Sequence, residues 1–110
     1  MNPIRVGIIG ARGYVGDELT RLLAAHPDAE LACVCSRERV GQRLADHHPD
    51  YSGGLRYSAP EPQLVADATL DAVLLAMPNG RAGAFVHAID AGGQNPVIID
   101  LSADYRFEAD

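Results

Sequence analysis

The stretch that decides the fold lies near the start of the chain and reads Ile4-Arg5-Val6-Gly7-Ile8-Ile9-Gly10-Ala11-Arg12-Gly13-Tyr14-Val15-Gly16. Its first part is β-branched and almost continuously apolar, which is typical of a strand buried on both faces of a parallel sheet. The apolar residues that follow at helical spacing are Val15, Leu19, Leu22 and Leu23. Pro27 ends this helix. The stretch therefore predicts a strand, a glycine-rich turn and an amphipathic helix.

The three glycines of the turn have the pattern G-x-x-G-x-x-G and suit the binding of a dinucleotide pyrophosphate. Gly10 lets the chain turn sharply, Gly13 leaves space for the pyrophosphate, and Gly16 lets the helix pack closely on the strand. The first N–H groups of the helix then face the anion. The other candidate cofactor-binding residues of the turn are Arg12, Tyr14 and Val15. The alternative is a tight turn without a ligand.

The rest of the chain also alternates between predicted strands and predicted helices. Further strands are predicted over 29–36, 71–77 and 96–101, helices over 37–48, 61–68 and 82–89, and a short strand over 55–57. Gly41 lies inside the second helix, and Gly92-Gly93 ends the last one. This order predicts one Rossmann-like α/β domain over 1–110, an open, doubly wound parallel sheet in three αβα layers. Ligands bind such sheets beyond the carboxyl ends of the strands.

The end of the second strand distinguishes NAD from NADP. An NAD site usually has an Asp or Glu there, which accepts hydrogen bonds from the ribose hydroxyls. This chain has Ser36-Arg37, with Arg39 two residues further on. A hydroxyl and a guanidinium group can hold a 2′-phosphate, so the sequence favours NADP. The alternative is an arginine on a solvated helix face.

Two more loops leave the same edge of the predicted sheet. Ala76 and Pro78 would lie beside the nicotinamide ribose, where Asn79 could donate hydrogen bonds or cap the next helix. Ser102 follows the last strand and is a further candidate cofactor-binding residue. The acid and base of the Asp104-Tyr105-Arg106 segment could form a salt bridge or act on a substrate.

Composition and motifs argue against several other classes of protein. The formal net charge of −6 disfavours a nucleic-acid binder. No apolar run reaches the roughly 18 residues of a membrane span, and no secretory signal is visible, so we expect a cytoplasmic protein. Cys33 and Cys35 lie within a strand, where we expect buried thiols. The adjacent histidines His47 and His48 cannot easily share a metal ion, and we expect neither a metal site nor a catalytic residue in this chain.

The same residues resemble those of N-acetyl-γ-glutamyl-phosphate reductases. The matching segments are 10–19, His26-Pro27, Ser36-Arg37, His48-Pro49 and 99–106, the last reading Ile99-Asp100-Leu101-Ser102-Ala103-Asp104-Tyr105-Arg106. Met77-Pro78-Asn79-Gly80 departs slightly from the family pattern, which more often has His before the glycine. The glycine turn and Ser36-Arg37 are shared with aspartate-semialdehyde dehydrogenases, whereas the 99–106 segment is more specific.

The resemblance implies an NADPH-dependent reduction of N-acetyl-glutamyl 5-phosphate to the semialdehyde, in arginine biosynthesis. A cysteine attacks the acyl phosphate and releases phosphate, a histidine serves as acid and base, and NADPH reduces the resulting thioester. In the family both residues belong to a second domain, so neither can be assigned here.

We therefore expect residues 1–110 to be an incomplete NADP-binding domain, part of a longer reductase that is a homo-oligomer when full length, with apolar surface exposed where later elements dock. The alternatives are a relative of aspartate-semialdehyde dehydrogenase or of aminoadipyl-phosphate reductases, and a stand-alone nucleotide-sensing module.

Overall fold

The computed structural model describes residues 3–10, 13–77, 82–93 and 95–101 of the 110-residue chain. The elements, in chain order, are β1 (Ile4–Ile9), α1 (Tyr14–Ala24), β2 (Ala29–Cys35), α2 (Leu44–His47), α3 (Pro62–Asp67), β3 (Ala72–Leu75), α4 (Ala82–Ala91) and β4 (Val97–Asp100). The four strands form one sheet in the order β2-β1-β3-β4, and every neighbouring pair is parallel. The predicted doubly wound sheet is confirmed.

Each face of the sheet carries its own apolar core. On β1, Ile8 packs with Leu19 and Leu23 of α1, whereas its neighbour Ile9 packs on the opposite face with the α3–α4 layer. The α3 and α4 residues in that second core are Val65, Phe85 and Ile89. Because successive side chains of a strand point to opposite faces, the unbroken apolar run of β1 fills both cores at once. The three αβα layers predicted from the sequence are therefore confirmed.

The predicted helix over 37–48 is wrong. Only Leu44–His47 are helical, as the single turn α2. Gly41 has φ +85°, in the left-handed region that a continuing right-handed helix cannot use. The Gly41 N–H donates to the Tyr57 carbonyl, and the Tyr57 N–H donates to the Gln42 carbonyl, each at 2.9 Å. Long-range backbone hydrogen bonds thus replace helical ones in this segment.

The remaining boundaries lie close to their predicted positions. The short strand expected over 55–57 is wrong: the segment takes part in one isolated bridge, the antiparallel pair of Arg43 and Arg56. Helix α3 begins at Pro62, and α4 gives way to Gly92 and Gly93, the latter with φ +81°. None of the helices in the described part of the chain is long and apolar enough to cross a membrane.

Strand β4 leaves apolar side chains uncovered. Val97 and Ile99 lie on one face of this strand, and both are exposed, as is Leu101 just beyond its end. Ile98 points the other way and packs against the α3–α4 core. These side chains form an exposed apolar strip, and the expectation that later elements dock on such a surface stays a prediction.

Candidate functional site

All four strands end at the same level. The last strand residues, in register across the sheet, are Cys35, Ile9, Leu75 and Asp100. The N–H groups of Gly10, Ala76 and Leu101 each donate to the carbonyl of a last residue on the neighbouring strand, over 2.7–2.9 Å. The four following loops therefore leave from one edge, which is where a doubly wound sheet binds ligands.

Gly10 makes the sharp turn that the sequence predicted. Its φ of +86° lies in the left-handed region, and a Cβ atom at this position would come within 2.5 Å of the Ala76 carbonyl oxygen. A side chain is therefore excluded both by backbone conformation and by the close approach of the loop after β3. This glycine brings the loops after β1 and β3 together.

The start of α1 is open where a ligand would lie. Gly13 is the N-cap residue and has no side chain that could hydrogen-bond to the N–H groups of the helix start. Its carbonyl accepts a hydrogen bond from the Asp17 N–H at 2.8 Å. A Cβ atom at Gly13 would meet no described heavy atom within 4 Å beyond its chain neighbours. Gly16 is buried, whereas Tyr14 and Val15 are exposed. Uncapped N–H groups beside open space suit an anion such as pyrophosphate.

The end of β2 has the features expected of a phosphate-binding corner. The Ser36 N–H donates to the Ser58 carbonyl at 3.0 Å, and the side chain of Ser36 is 1% exposed. Its hydroxyl has no hydrogen-bond partner among the described residues, which is unusual for a buried polar atom. Arg37 is exposed and forms no hydrogen bond or ion pair with another described residue. An unused hydroxyl and an available guanidinium group thus adjoin at this corner, and both suit a phosphate ester.

Arg39 is turned away from this role. The sequence has it two residues after Arg37, but its Nη1 and Nη2 atoms donate to the two carboxylate oxygens of Asp17 at 2.8 and 3.3 Å. Nη1 also donates to the Tyr57 hydroxyl at 3.2 Å. The hydrogen bond with Asp17 raises the pKa of Arg39 above its usual value. No sequence pattern indicates this contact, because its partners are 22 residues apart.

His48 is a further buried polar residue, and its burial was not predicted from the sequence. Its Nε2 atom has no hydrogen-bond partner within the described ranges and lies 3.8 Å from a carboxylate oxygen of Asp17. Burial lowers the pKa of His48, and the nearby Asp17 carboxylate only partly opposes that shift. His48 is therefore favoured as a neutral imidazole behind the first turn of α1.

Several candidate residues lie outside the described residues: Arg12, Pro78, Asn79, Ser102, Asp104 and Arg106. Cys33 and Cys35 are free and buried, as expected. A hydrogen bond with Cys33, together with burial, raises the pKa of Cys35. Across the ranges that the structure describes, no group of three or more His, Cys, Asp or Glu side chains is placed to hold a metal ion.

The level strand ends, the left-handed Gly10 turn and the open helix start together define a dinucleotide-binding αβα domain. The family model described as "Semialdehyde dehydrogenase, NAD binding domain" matches residues 5–110. The chain belongs to this family.

Curated relatives confirm the resemblance seen in the sequence. The chain is 57% identical over 103 residues to an N-acetyl-gamma-glutamyl-phosphate reductase of Stenotrophomonas maltophilia (strain R551-3), covering 94% of this chain and 32% of the relative. It is 51% identical over 108 residues to the reductase of the same name from Xanthomonas campestris pv. campestris (strain B100), covering 98% and 34%. The chain thus spans about a third of the length of these relatives.

A solved structure shows the same fold at low sequence identity. The aspartate semialdehyde dehydrogenase with NADP from Candida albicans superposes with a TM-score of 0.65 at 20% identity, covering 97% of this chain and 32% of that one. This likeness concerns the fold alone.

Proposed function

We propose that this chain forms the NADP(H)-binding part of an N-acetyl-γ-glutamyl-phosphate reductase, which reduces N-acetyl-glutamyl 5-phosphate to the semialdehyde in arginine biosynthesis. The observation that carries the NADP assignment is the corner after β2. There the chain has a buried serine hydroxyl without a described partner, followed by an exposed arginine, instead of a carboxylate. Relatives of the same name at 51% and 57% identity support the choice of reductase.

Each part of the edge has a role in this proposal. The turn from Gly10 to Gly16, with Arg12, Tyr14 and Val15, holds the pyrophosphate against the helix start. Ser36 and Arg37 hold the 2′-phosphate by a hydroxyl contact and a charge-assisted contact. The residues on the nicotinamide side are Ala76, Pro78 and Ser102. When bound, NADPH supplies the hydride for the reduction.

The chemistry beyond cofactor binding belongs to the whole protein. We place the nucleophilic cysteine and the histidine acid/base in a substrate domain outside this chain, and residues 1–110 in the cofactor domain. A homo-oligomeric assembly and a cytoplasmic location are parts of the same proposal. An aspartate-semialdehyde dehydrogenase or aminoadipyl-phosphate reductase activity is less well supported, since the aspartate enzyme of Candida albicans is only 20% identical. No particular observation favours a stand-alone sensing module.

Replacing Arg37 tests the NADP assignment directly. Arg37→Ala should weaken NADPH binding by about 10- to 150-fold, the equivalent of roughly 1.5–3 kcal/mol for a hydrogen bond to a charged group, and should change NADH binding much less. Calorimetric titration of the full chain with both dinucleotides measures the two dissociation constants.

Arg21→Ala is the matched control, because it removes the same charge from an exposed arginine whose contact is with Glu18. It should leave the preference for NADPH unchanged. Equal affinity of the unmodified chain for NADPH and NADH would contradict the assignment of Ser36 and Arg37. Absence of binding to both would contradict the proposed function itself.

A further inference from the structure

Two arginines of one short segment have opposite environments. Arg37 is exposed and has no described partner, whereas the side chain of Arg39 is only 18% exposed. Arg39 makes its contacts across the fold, with Asp17 in the first turn of α1 and with Tyr57 beyond α2. A guanidinium group committed to protein partners in this way is poorly placed to bind a ligand, but it can hold segments together.

The contact with Asp17 has the geometry of a strong ion pair. Two nitrogens of Arg39 face two oxygens of Asp17, and such forked pairs fix orientation as well as distance. The guanidinium carbon also lies 5.6 Å from the centre of the Tyr57 ring, within the range of a cation–π contact. Tyr57 is buried and therefore gives Arg39 a fixed support.

The same segment is tied to its surroundings at both ends. The Arg39 N–H donates to the Ser36 carbonyl at 3.3 Å, which closes a turn around Arg37. At the far end, the Gly41 N–H donates to the Tyr57 carbonyl. Fixing the Arg39 side chain therefore also restrains the backbone of Ser36 and Arg37. We call residues 36–39 the β2 corner.

We propose that Arg39 is a positioning residue for cofactor recognition: by bridging Asp17 and Tyr57, it holds the β2 corner at a fixed place beside α1 without contacting the cofactor. This inference rests on the proposed function, because it assumes that Ser36 and Arg37 meet the 2′-phosphate. It adds that the preference for NADPH depends on a residue pair that does not touch the phosphate.

Asp17→Asn separates this role from direct phosphate binding. If Arg39 bound the phosphate itself, removing the Asp17 carboxylate would release the guanidinium group and tighten NADPH binding. As a positioning residue, Arg39 loses its forked partner, so NADPH binding should weaken by about fivefold to twentyfold. NADH binding should change by less than about threefold, since NADH has no 2′-phosphate for the β2 corner to bind.

Glu18→Gln is the matched control for charge, because Glu18 lies in the same helical turn and its contact is with Arg21. Titrations in 0.3 M KCl, where the Debye length is about 5–6 Å, keep the general effect of losing one negative charge small. We expect Glu18→Gln to bind NADPH at least as tightly as the unmodified chain. Equal effects of Glu18→Gln and Asp17→Asn would overturn the inference.

The dependence on Arg37 gives a second readout that a purely structural role would not move. Arg39→Met should weaken NADPH binding by about tenfold in the unmodified background and by less than about twofold in the Arg37→Ala background. Arg39→Lys should restore part of the loss, because it keeps the charge next to Asp17. Thermal unfolding shows whether each variant of the full chain is folded. Any variant that does not fold is replaced by Tyr57→Phe, which removes only the hydroxyl group that contacts Arg39.

The outcomes distinguish the two proposals. A full chain that binds neither dinucleotide contradicts the proposed function. A chain that prefers NADPH, but whose Asp17→Asn variant binds it as tightly or more tightly, supports the proposed function and overturns the role of Arg39. That role is also overturned if Arg39→Met is equally harmful with and without Arg37.

Discussion

Residues of the same type have different roles in this molecule, and the first two glycines of the turn, Gly10 and Gly13, are the clearest case. Gly10 combines a φ of +86° with a backbone oxygen 2.5 Å from the position of a Cβ atom. Gly13 has φ −72° and open space around it. The first glycine is therefore required by the fold, whereas the fold does not require the second, which we propose leaves space for the pyrophosphate.

This difference predicts that replacement by alanine mainly lowers stability at Gly10 and mainly weakens cofactor binding at Gly13. Gly10→Ala should lower the free energy of unfolding by at least about 3 kcal/mol, because left-handed strain and a backbone clash both add to its cost. Gly13→Ala changes only the helix cap, so it should lower the free energy of unfolding by about 1 kcal/mol or less. It should nevertheless weaken the binding of both dinucleotides, because the added methyl group obstructs the pyrophosphate. Urea unfolding followed by circular dichroism, together with NADPH titration, measures both effects. Equal stability losses in the two variants would contradict the assignment.

The candidate site is only partly predictable at this scale. Gly10, Gly13 and Ser36 can be found from the sequence, since each follows a strand with a recognisable apolar pattern. The bridge from Arg39 to Asp17 cannot, because its two ends lie in different elements and no periodicity connects them. Side-chain partners of this kind are set by tertiary packing, which local patterns do not encode.

At the scale of elements, the segment after β2 shows how a helical pattern can mislead. Val40 and Leu44 have helical spacing, but Val40 is 52% exposed and Leu44 is fully buried. The left-handed Gly41 lies between them, and backbone pairing with the 55–57 segment supplies the hydrogen bonds that a helix would have made. Two apolar residues at the right spacing are therefore insufficient evidence when a glycine separates them.

The contrast between these residues can be measured. Leu44→Ala should lower the free energy of unfolding by about 2–5 kcal/mol, since it leaves a cavity in the core beneath α1. Val40→Ala should change it by less than about 0.5 kcal/mol, because the side chain is largely in solvent. Chemical denaturation of both variants checks this expectation. Losses of similar size would instead indicate that 37–48 forms an amphipathic helix after all.

At the scale of the whole molecule, alternation of strands and helices is enough to predict the parallel sheet and its layers. This succeeds because the strands of a buried parallel sheet are continuous apolar runs, as in β1, and because the connections have a fixed hand. The internal environment of His48 is not predictable, since a histidine next to a proline has no periodic signature. It is buried with its Nε2 atom 3.8 Å from a carboxylate oxygen of Asp17 in α1, a contact that only the tertiary fold creates.

The burial of His48 predicts how the stability of the whole domain depends on pH. Because its pKa in the folded state lies below the usual value of about 6.5, folding favours the neutral ring. This contribution is fully present above pH 6.5 and is lost as the pH falls from that value through the lower folded-state pKa. The free energy of unfolding should therefore fall more steeply between pH 7.5 and about 5.5 in the unmodified chain than in His48→Gln. Identical pH profiles for the two proteins would show that His48 is not the titrating group.

If Arg37 meets the cofactor as proposed, the unequal anchoring of Arg37 and Arg39 also limits how cofactor preference can be changed by substitution. Arg37 has no described partner, so substitution there alters the charge offered to a ligand and leaves the surrounding packing intact. Arg39 ties the β2 corner, to which it belongs, to Asp17 of α1 and to Tyr57, so substitution there disturbs three segments at once. Under the proposed function, we therefore expect a change of dinucleotide preference to be easier to make at position 37 than at position 39.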